Sequence, residues 1–244
     1  MRPTIEPHSR KRRSRDELRA LAESGATLLE QGSAEQLIDW VAGNFATESV
    51  AVACSMADAV LPHLVSRRIP GVDVLFLETG YHFAETEATR AEVARALNIR
   101  LINVLPKQTV VEQDAQYGVE LFARNPTLCC ALRKVEPLHE CLAGYEVWFS
   151  GLRRDEGPTR AGTALIGWDE RNGLVKVNPI ASWTFDELLE YANSNAVPVN
   201  PLIASGYPSI GCAPCTRAVA GGGGGDQRAG RWAGLAKTEC GLHA

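Results

Sequence analysis

The sequence predicts a single α/β domain organised around a mostly parallel, doubly wound sheet, and three observations carry that expectation. Short apolar runs at 50–54, 72–77, 99–104 and 147–150 alternate with helical patterns at 58–66, 83–97 and 130–142, the β-α-β order of a parallel sheet. The runs read as unbroken apolar strands, so both faces of the sheet need cover. At 244 residues, 45% of them hydrophobic, the chain is long enough to bury such a core and too apolar to be disordered.

The N-terminus carries a basic run, Arg10-Lys11-Arg12-Arg13 with Arg15, which composition alone reads as a solvated, disordered tail. Asp16 and Glu17 follow where a secretory signal would need an apolar stretch, and no apolar run reaches the ~18 residues that span a bilayer. The net charge of -4 excludes a surface built to coat nucleic acid. Ser14-Arg15-Asp16-Glu17 and Ser33-Ala34-Glu35-Gln36 both read as capping boxes, in which the serine hydroxyl and the acid or amide three residues on satisfy exposed backbone N–H groups. Two helices are therefore expected before the first strand.

Parallel α/β sheets bind ligands beyond the carboxyl ends of their strands. The segments to search are Cys54-Ser55-Met56-Ala57-Asp58, Glu78-Thr79-Gly80-Tyr81 and Gly151-Leu152-Arg153-Arg154-Asp155-Glu156, after the first, second and fourth strands. A short hairpin is expected after Trp168, then a helix capped by Thr184-Phe185-Asp186-Glu187 and reaching Asn193. Beyond Pro198 regular structure fades, and the unbroken glycines at 221–225 read as a flexible hinge. The expected organisation is an N-terminal tail and helix over 1–32, an α/β domain over 33–216 and a mobile C-terminal tail over 217–244.

Seven cysteines without an export signal point to a reducing compartment, the cytoplasm, where grouped cysteines more often bind metal or do catalysis than form disulfides. Cys54 and Cys141 sit in apolar runs and read as buried core thiols. The other five form three groups: Cys129-Cys130, the C-x-x-C of Cys212 and Cys215, and a lone Cys240 near the C-terminus. A C-x-x-C alone fits half a zinc site, a redox dithiol or two cluster ligands. Adjacent helical residues project ~100° apart, which suits one large centre better than a compact tetrahedral zinc, and a four-iron cluster offers separate irons to separate thiolates. Spacing thus favours an iron-sulfur cluster, with zinc, a disulfide or inert core thiols still open.

Arg133 and Lys134 follow Cys129 and Cys130 at helical spacing, so both cations project over the same turn as the cysteines and suit an anionic cluster or substrate. By position alone Cys240 is an incidental exposed thiol. Arg217, Arg228, Arg231 and Lys237 precede it, however, and nearby cations favour a thiolate. Arg153, Arg154 and Arg160 make a second basic group after the fourth strand, and guanidinium groups pair bidentately with phosphate and sulfate oxygens.

These motifs resemble the assimilatory adenylyl-sulfate reductases, the iron-sulfur branch of the phosphoadenylyl-sulfate reductase family, over nearly the whole chain from Leu37 onward. Cys129-Cys130 with Cys212-x-x-Cys215 matches that branch's four cluster ligands, and Glu239-Cys240-Gly241-Leu242-His243 its terminal nucleophile motif. Phe76-Leu77-Glu78-Thr79-Gly80 and Ser150-Gly151-Leu152-Arg153-Arg154 look like its second-strand and fourth-strand loops. The loop at Ser55 is similar to the family's pyrophosphate-binding variant and lacks the serine-glycine-glycine of relatives that split ATP. The resemblance implies an adenine nucleotide alpha hydrolase-like fold and makes 33–216 a nucleotide-binding domain carrying a [4Fe-4S] cluster. It also implies reduction of adenylyl sulfate to sulfite and AMP with reduced thioredoxin as partner. Cys129, Cys130, Cys212 and Cys215 would be the ligands, Cys240 the nucleophile that carries an S-sulfonate, and Lys134 the cation between cluster and substrate. Ser55, Thr79, Arg153, Arg228 and Arg231 would contact the nucleotide or phosphosulfate. No nucleic-acid or membrane partner is implied, and a homo-oligomer is compatible.

Three rivals remain. A 3'-phosphoadenylyl-sulfate reductase keeps the chemistry, although that branch commonly lacks the four cysteines. An ATP-dependent sulfur-transfer or adenylating enzyme needs the missing serine-glycine-glycine loop. A non-enzymatic iron-sulfur redox sensor would have to read a partner through the short run at 10–15.

Overall fold

In the computed structural model, residues 12–219 and 226–243 are described. Both N-terminal helices form where their capping boxes stand: Ser14 caps α1 (Arg15–Leu28) and Ser33 caps α2 (Ala34–Asn44), each with the reciprocal side-chain bond in place. The remainder alternates as β1 (Val50–Ala53), α3 (Val60–Ser66), β2 (Val72–Leu77), α4 (Ala84–Ala96), β3 (Ile99–Val104), α5 (Val110–Tyr117), the short α6 (Leu121–Arg124) and α7 (Pro126–Cys130), α8 (Glu136–Leu142), β4 (Val147–Phe149), β5 (Ile166–Asp169), β6 (Leu174–Val177) and α9 (Phe185–Ser194). Helix α9 starts on the Thr184 capping box. The sequence reading missed α5, although Thr109-Val110-Val111-Glu112 is a capping box of the same kind and is satisfied in the same way.

The six strands lie in the order β3-β2-β1-β4-β6-β5, all parallel except β5, which pairs antiparallel with β6 as the hairpin expected after Trp168. Successive side chains of a strand point to opposite faces, and both faces are apolar in the central strands. Val50, Val52, Val72, Val74, Val147 and Phe149 pack with α1, α2, α3 and α9 residues on one side. Ala51, Leu75, Trp148 and Leu174 pack with Leu138, Leu142 and Tyr145 on the other. β3 departs from the unbroken apolar reading: Arg100 and Asn103 punctuate it and it lies at the sheet edge, where one side is half exposed. Arg100 and the buried Tyr145 hydroxyl both donate to Asp73, which satisfies the carboxylate that β2 buries.

The basic N-terminal run is partly ordered against this body, which corrects its reading as a solvated tail. The Arg12 guanidinium donates to the carbonyls of Ala143 and Tyr145. Arg13 pairs with Glu146 at 3.1 Å and lies over the Phe45 ring, while Arg15 lies over Trp168 and donates to the Glu170 carbonyl. These guanidinium groups cap backbone carbonyls that would otherwise face solvent, so composition alone could not assign them. Arg10, Lys11 and the glycines at 221–225 lie outside the described residues. Leu18 and Ala22 of α1 sit in the main core cluster, which ties the first helix to the α/β body. No helix among the described residues is long and apolar enough to cross a membrane.

Leu37 on α2 is fully buried in that core. Leu37→Ala should lower the unfolding free energy by about 2–5 kcal/mol through lost burial and the cavity left behind, read as a fall in the urea midpoint.

Candidate active site

The strand order reverses between β1 and β4, so the connections leaving their carboxyl ends diverge and open a crevice. A cavity of about 200 Å³ fills it. Ser55 lies on its β1 side, Gly151, Arg153 and Arg160 on its β4 side, and Arg228, Arg231, Cys240 and His243 close it from the C-terminal segment. Lys134 also lines this cavity, and it lines a second, smaller one with Cys129, Cys130, Cys212 and Cys215. Four thiols expected to act together thus share one pocket, and the lysine expected to bridge them to a substrate borders both.

Local sequence explains how the first cysteine pair is aimed. Asn125 caps α7, accepting from the Leu128 N–H at 3.0 Å, and Pro126 stands at the first turn, where its missing N–H costs nothing. The helix then widens into a π turn over Ala131–Val135, with the Glu136 N–H reaching the Ala131 carbonyl. Pro137 gives the reason: it cannot donate to the Arg133 carbonyl and its ring crowds that group, so the ladder opens just ahead of it. The π turn also separates the two cations that helical spacing had placed together. Arg133 turns inward to the Thr79 carbonyl, the Gln108 carbonyl at 3.3 Å and Gln113 at 3.2 Å while still lining the cysteine pocket, and Lys134 borders both that pocket and the large cavity.

The C-x-x-C pair sits on a 3₁₀ turn, Ala213–Cys215, pinned by the Ala213 N–H to Tyr81 at 2.7 Å and by the Trp232 N–H to the Cys215 carbonyl at 2.9 Å. Gly211 precedes it, and the Arg231 guanidinium occupies the space a side chain there would take. Tyr81, Phe122, Pro126 and Trp232 wall the small pocket. Burial, then repulsion from the other thiols, pushes Cys129 up to about 12, and burial followed by Cys212 and Cys130 pushes Cys215 up to about 11. Cys212 goes the other way: burial opposes its ionisation, but Lys134, the Thr79 hydroxyl and Arg231 outweigh it and lower its pKa. Burial works against the Lys134 charge too, yet the thiolates of Cys212, Cys240 and Cys130 raise its pKa overall.

These donors fit a bound cationic centre, whose charge would offset the burial and the repulsion that raise Cys129, Cys130 and Cys215. All four sulfurs face one common pocket.

The expected ligand-contacting residues divide. Ser55, Arg153 and Arg231 line the large cavity. Arg153 is buried, bonded to Asp155 at 3.0 Å and Gln227 at 2.6 Å, and lies over the Phe185 ring. Thr79 is fully buried and turned to the cysteines, its hydroxyl accepting from the Cys212 thiol at 3.3 Å, so it does not border that cavity as expected. Arg228 borders the cavity but is engaged with the Thr238 carbonyl and Glu239, both at 3.0 Å. Cys54 and Cys141, read as buried core thiols, are only partly buried: Cys54, pushed up to about 12 by burial and by Asp58, lines the large cavity, and Cys141, pushed up to about 11 by burial, packs against the second apolar cluster.

Sequence reasoning missed the residues that seat the C-terminal segment. Leu242 packs into the apolar cluster under Trp148. The His243 ring stacks on Trp148 with centroids 5.7 Å apart and meets Lys176 at 3.2 Å. Burial, with Lys176, Arg160 and Arg228 nearby, holds that imidazole neutral well below its ordinary pKa. Lys176 is itself pushed down to about 8 by burial.

The fold and this crevice define a nucleotide-binding α/β protein, and residues 48–218 match the model of the phosphoadenosine phosphosulfate reductase domain. The chain belongs to that family. It is 53% identical to the adenosine 5'-phosphosulfate reductase of Streptomyces coelicolor over 95% of this chain and 97% of that protein. It is 56% identical to the enzyme of the same name from Mycobacteroides abscessus over 94% and 95%. Among solved structures it resembles the phosphate complex of phosphoadenylyl-sulfate reductase from Candida auris, with a TM-score of 0.67 and 25% identity over 81% of this chain and 96% of that one. FMN adenylyltransferase from Candida glabrata shares the fold at a TM-score of 0.53 and 12% identity, over 86% and 69%.

Two outcomes follow. Pro137→Ala restores an N–H that can close the π turn, so any metal held by the four cysteines should fall in metal analysis while the thermal midpoint holds. A released tail takes up a proton on His243 as pH falls through ~6.5, and a docked tail does not. Docking should therefore be full above that pH and weaken progressively below it, seen as faster proteolysis of the C-terminus; His243→Asn should remove the step.

Proposed function

We propose that this protein reduces adenylyl sulfate to sulfite and AMP in sulfate assimilation, with a cysteine on its C-terminal segment as nucleophile. The observation that carries the reading is Lys134 bordering both the four-cysteine pocket and the cavity that holds Cys240. Support comes from the adenosine 5'-phosphosulfate reductases it resembles over nearly its full length.

Cys129, Cys130, Cys212 and Cys215 would hold a [4Fe-4S] cluster, whose bound charge supplies an electrostatic anchor at the end of the cavity. Lys134 neutralises anionic charge at that end, and Arg231 faces the same cavity. Ser55, with the β1 loop, and Arg153 offer contacts to the nucleotide, and the apolar Leu152, Ile180 and Phe185 give a base a surface to lie on. Thr79 supports this arrangement through Cys212, and Arg228 through the C-terminal segment.

In the first step the Cys240 thiolate attacks sulfur, the S–O bond to AMP breaks with its electron pair leaving on the phosphate, and the cysteine carries an S-sulfonate. The surrounding cations offset repulsion between two anions. In the second, one thiolate of a reduced thioredoxin attacks the Cys240 sulfur and expels sulfite, and its second thiol breaks the mixed disulfide, returning Cys240 and a two-electron-oxidised partner. The tail over 217–244 must dock for the first step and open for the second. The chemistry suits a reducing compartment such as the cytoplasm.

Sulfite measured anaerobically with adenylyl sulfate and reduced thioredoxin tests this reading, with the 3'-phosphorylated nucleotide as the comparison substrate. Cys240→Ser should abolish sulfite, and Lys134→Ala should lower kcat by about 10²–10³ as charge stabilisation is lost. No sulfite from wild type would reject the reaction; sulfite undiminished in Cys240→Ser would reject the nucleophile.

A further inference from the structure

Cys240 is held from both sides. On one side Gly241 turns the chain with φ +86°, its carbonyl accepts from Arg171 at 3.1 Å, and Leu242 and His243 pack beneath it. On the other, Glu239 is gripped by two guanidinium groups. Arg160 donates to both of its oxygens, at 2.9 and 3.2 Å, Arg228 adds a bond at 3.0 Å, and the Thr159 hydroxyl a fourth at 3.0 Å. Both guanidinium side chains are about nine-tenths buried, at 11% and 8% exposed, which makes this grip far stronger than a surface ion pair. Arg160 is fixed in turn by Glu156 at 2.7 Å, on the loop that leaves β4. The clamp therefore references the tail to the crevice wall.

We infer that Glu239 is a positioning residue whose carboxylate, locked by Arg160 and Arg228, seats the Cys240 thiol over the cavity. The inference deepens the proposed reaction and rests on it for the catalytic consequence alone; the seating itself is a property of the protein without substrate. Glutamate at this place is specific. Glutamine keeps the shape and loses the charge that two buried guanidinium groups require, and aspartate withdraws the carboxylate by one methylene from a bidentate partner.

The test reads seating and turnover separately in the full-length protein with its metal centre. Alkylation of Cys240 by iodoacetamide, followed by peptide mass spectrometry, should be about ten- to a hundredfold faster in Glu239→Gln than in wild type, the range expected for losing charged hydrogen bonds. Arg160→Gln should act in the same direction, the double variant should add little, and Glu170→Gln on the surface should match wild type. Single-turnover AMP release should fall by a similar factor in Glu239→Gln, with nucleotide affinity and thermal midpoint unchanged. Alkylation within twofold of wild type in both single variants would overturn the clamp, and unchanged AMP release beside faster alkylation would overturn its positioning role. If wild type releases no AMP while the alkylation pattern holds, the clamp stands and the reaction is what fails.

Discussion

The strand order's reversal between β1 and β4 is the constraint on which everything else in this molecule depends. Parallel strands wind right-handed onto the sheet, so connections leaving either side of the reversal diverge and cannot fill the gap between them. The β1 loop supplies small polar groups at one wall and the β4 loop supplies Arg153 and Arg160 at the other. Arg228, Arg231, Cys240 and His243 of the C-terminal segment line the crevice together with both loops.

Charge balance explains the next level. Burial above all, and then repulsion between neighbouring thiolates, makes Cys129, Cys130 and Cys215 hard to ionise. Lys134 is the cation placed to respond, held by the π turn that Pro137 imposes while Arg133 is diverted to brace the loop after β2. Its position between two cavities means that whatever fills one changes the field in the other. A cluster proposed for the smaller pocket would thus act on an anion in the larger without any electron passing between them.

The C-terminal segment follows the same economy of parts. Trp232 gathers Arg228, Arg231 and Lys237 around its ring at 5.8, 4.7 and 5.5 Å, and Lys237 reaches Thr127 on α7 at 3.3 Å. The tail therefore crosses the four-cysteine pocket before Glu239 enters its clamp. One continuous stretch thus lines both cavities, with Trp232 at the smaller and Arg228, Arg231, Cys240, Leu242 and His243 at the larger.

Much of this was legible in the sequence because local rules settle it. Four capping boxes, at Ser14, Ser33, Thr109 and Thr184, start four helices, and the one overlooked carried the same signal as the rest. Apolar runs located the strands within a residue at their ends, and the grouping of five cysteines separated the four in one pocket from the one on the tail. The sequence could not tell which cation faces which anion. Arg133 and Lys134 are adjacent and alike on paper, yet a proline three residues on sends them to different partners. Arg160 and Glu239 lie 79 positions apart, and Arg12 finds its carbonyls at a separation of more than 130. Pairings of that range depend on where the sheet brings distant loops together, and side-chain type alone carries no record of it; tertiary structure decided them.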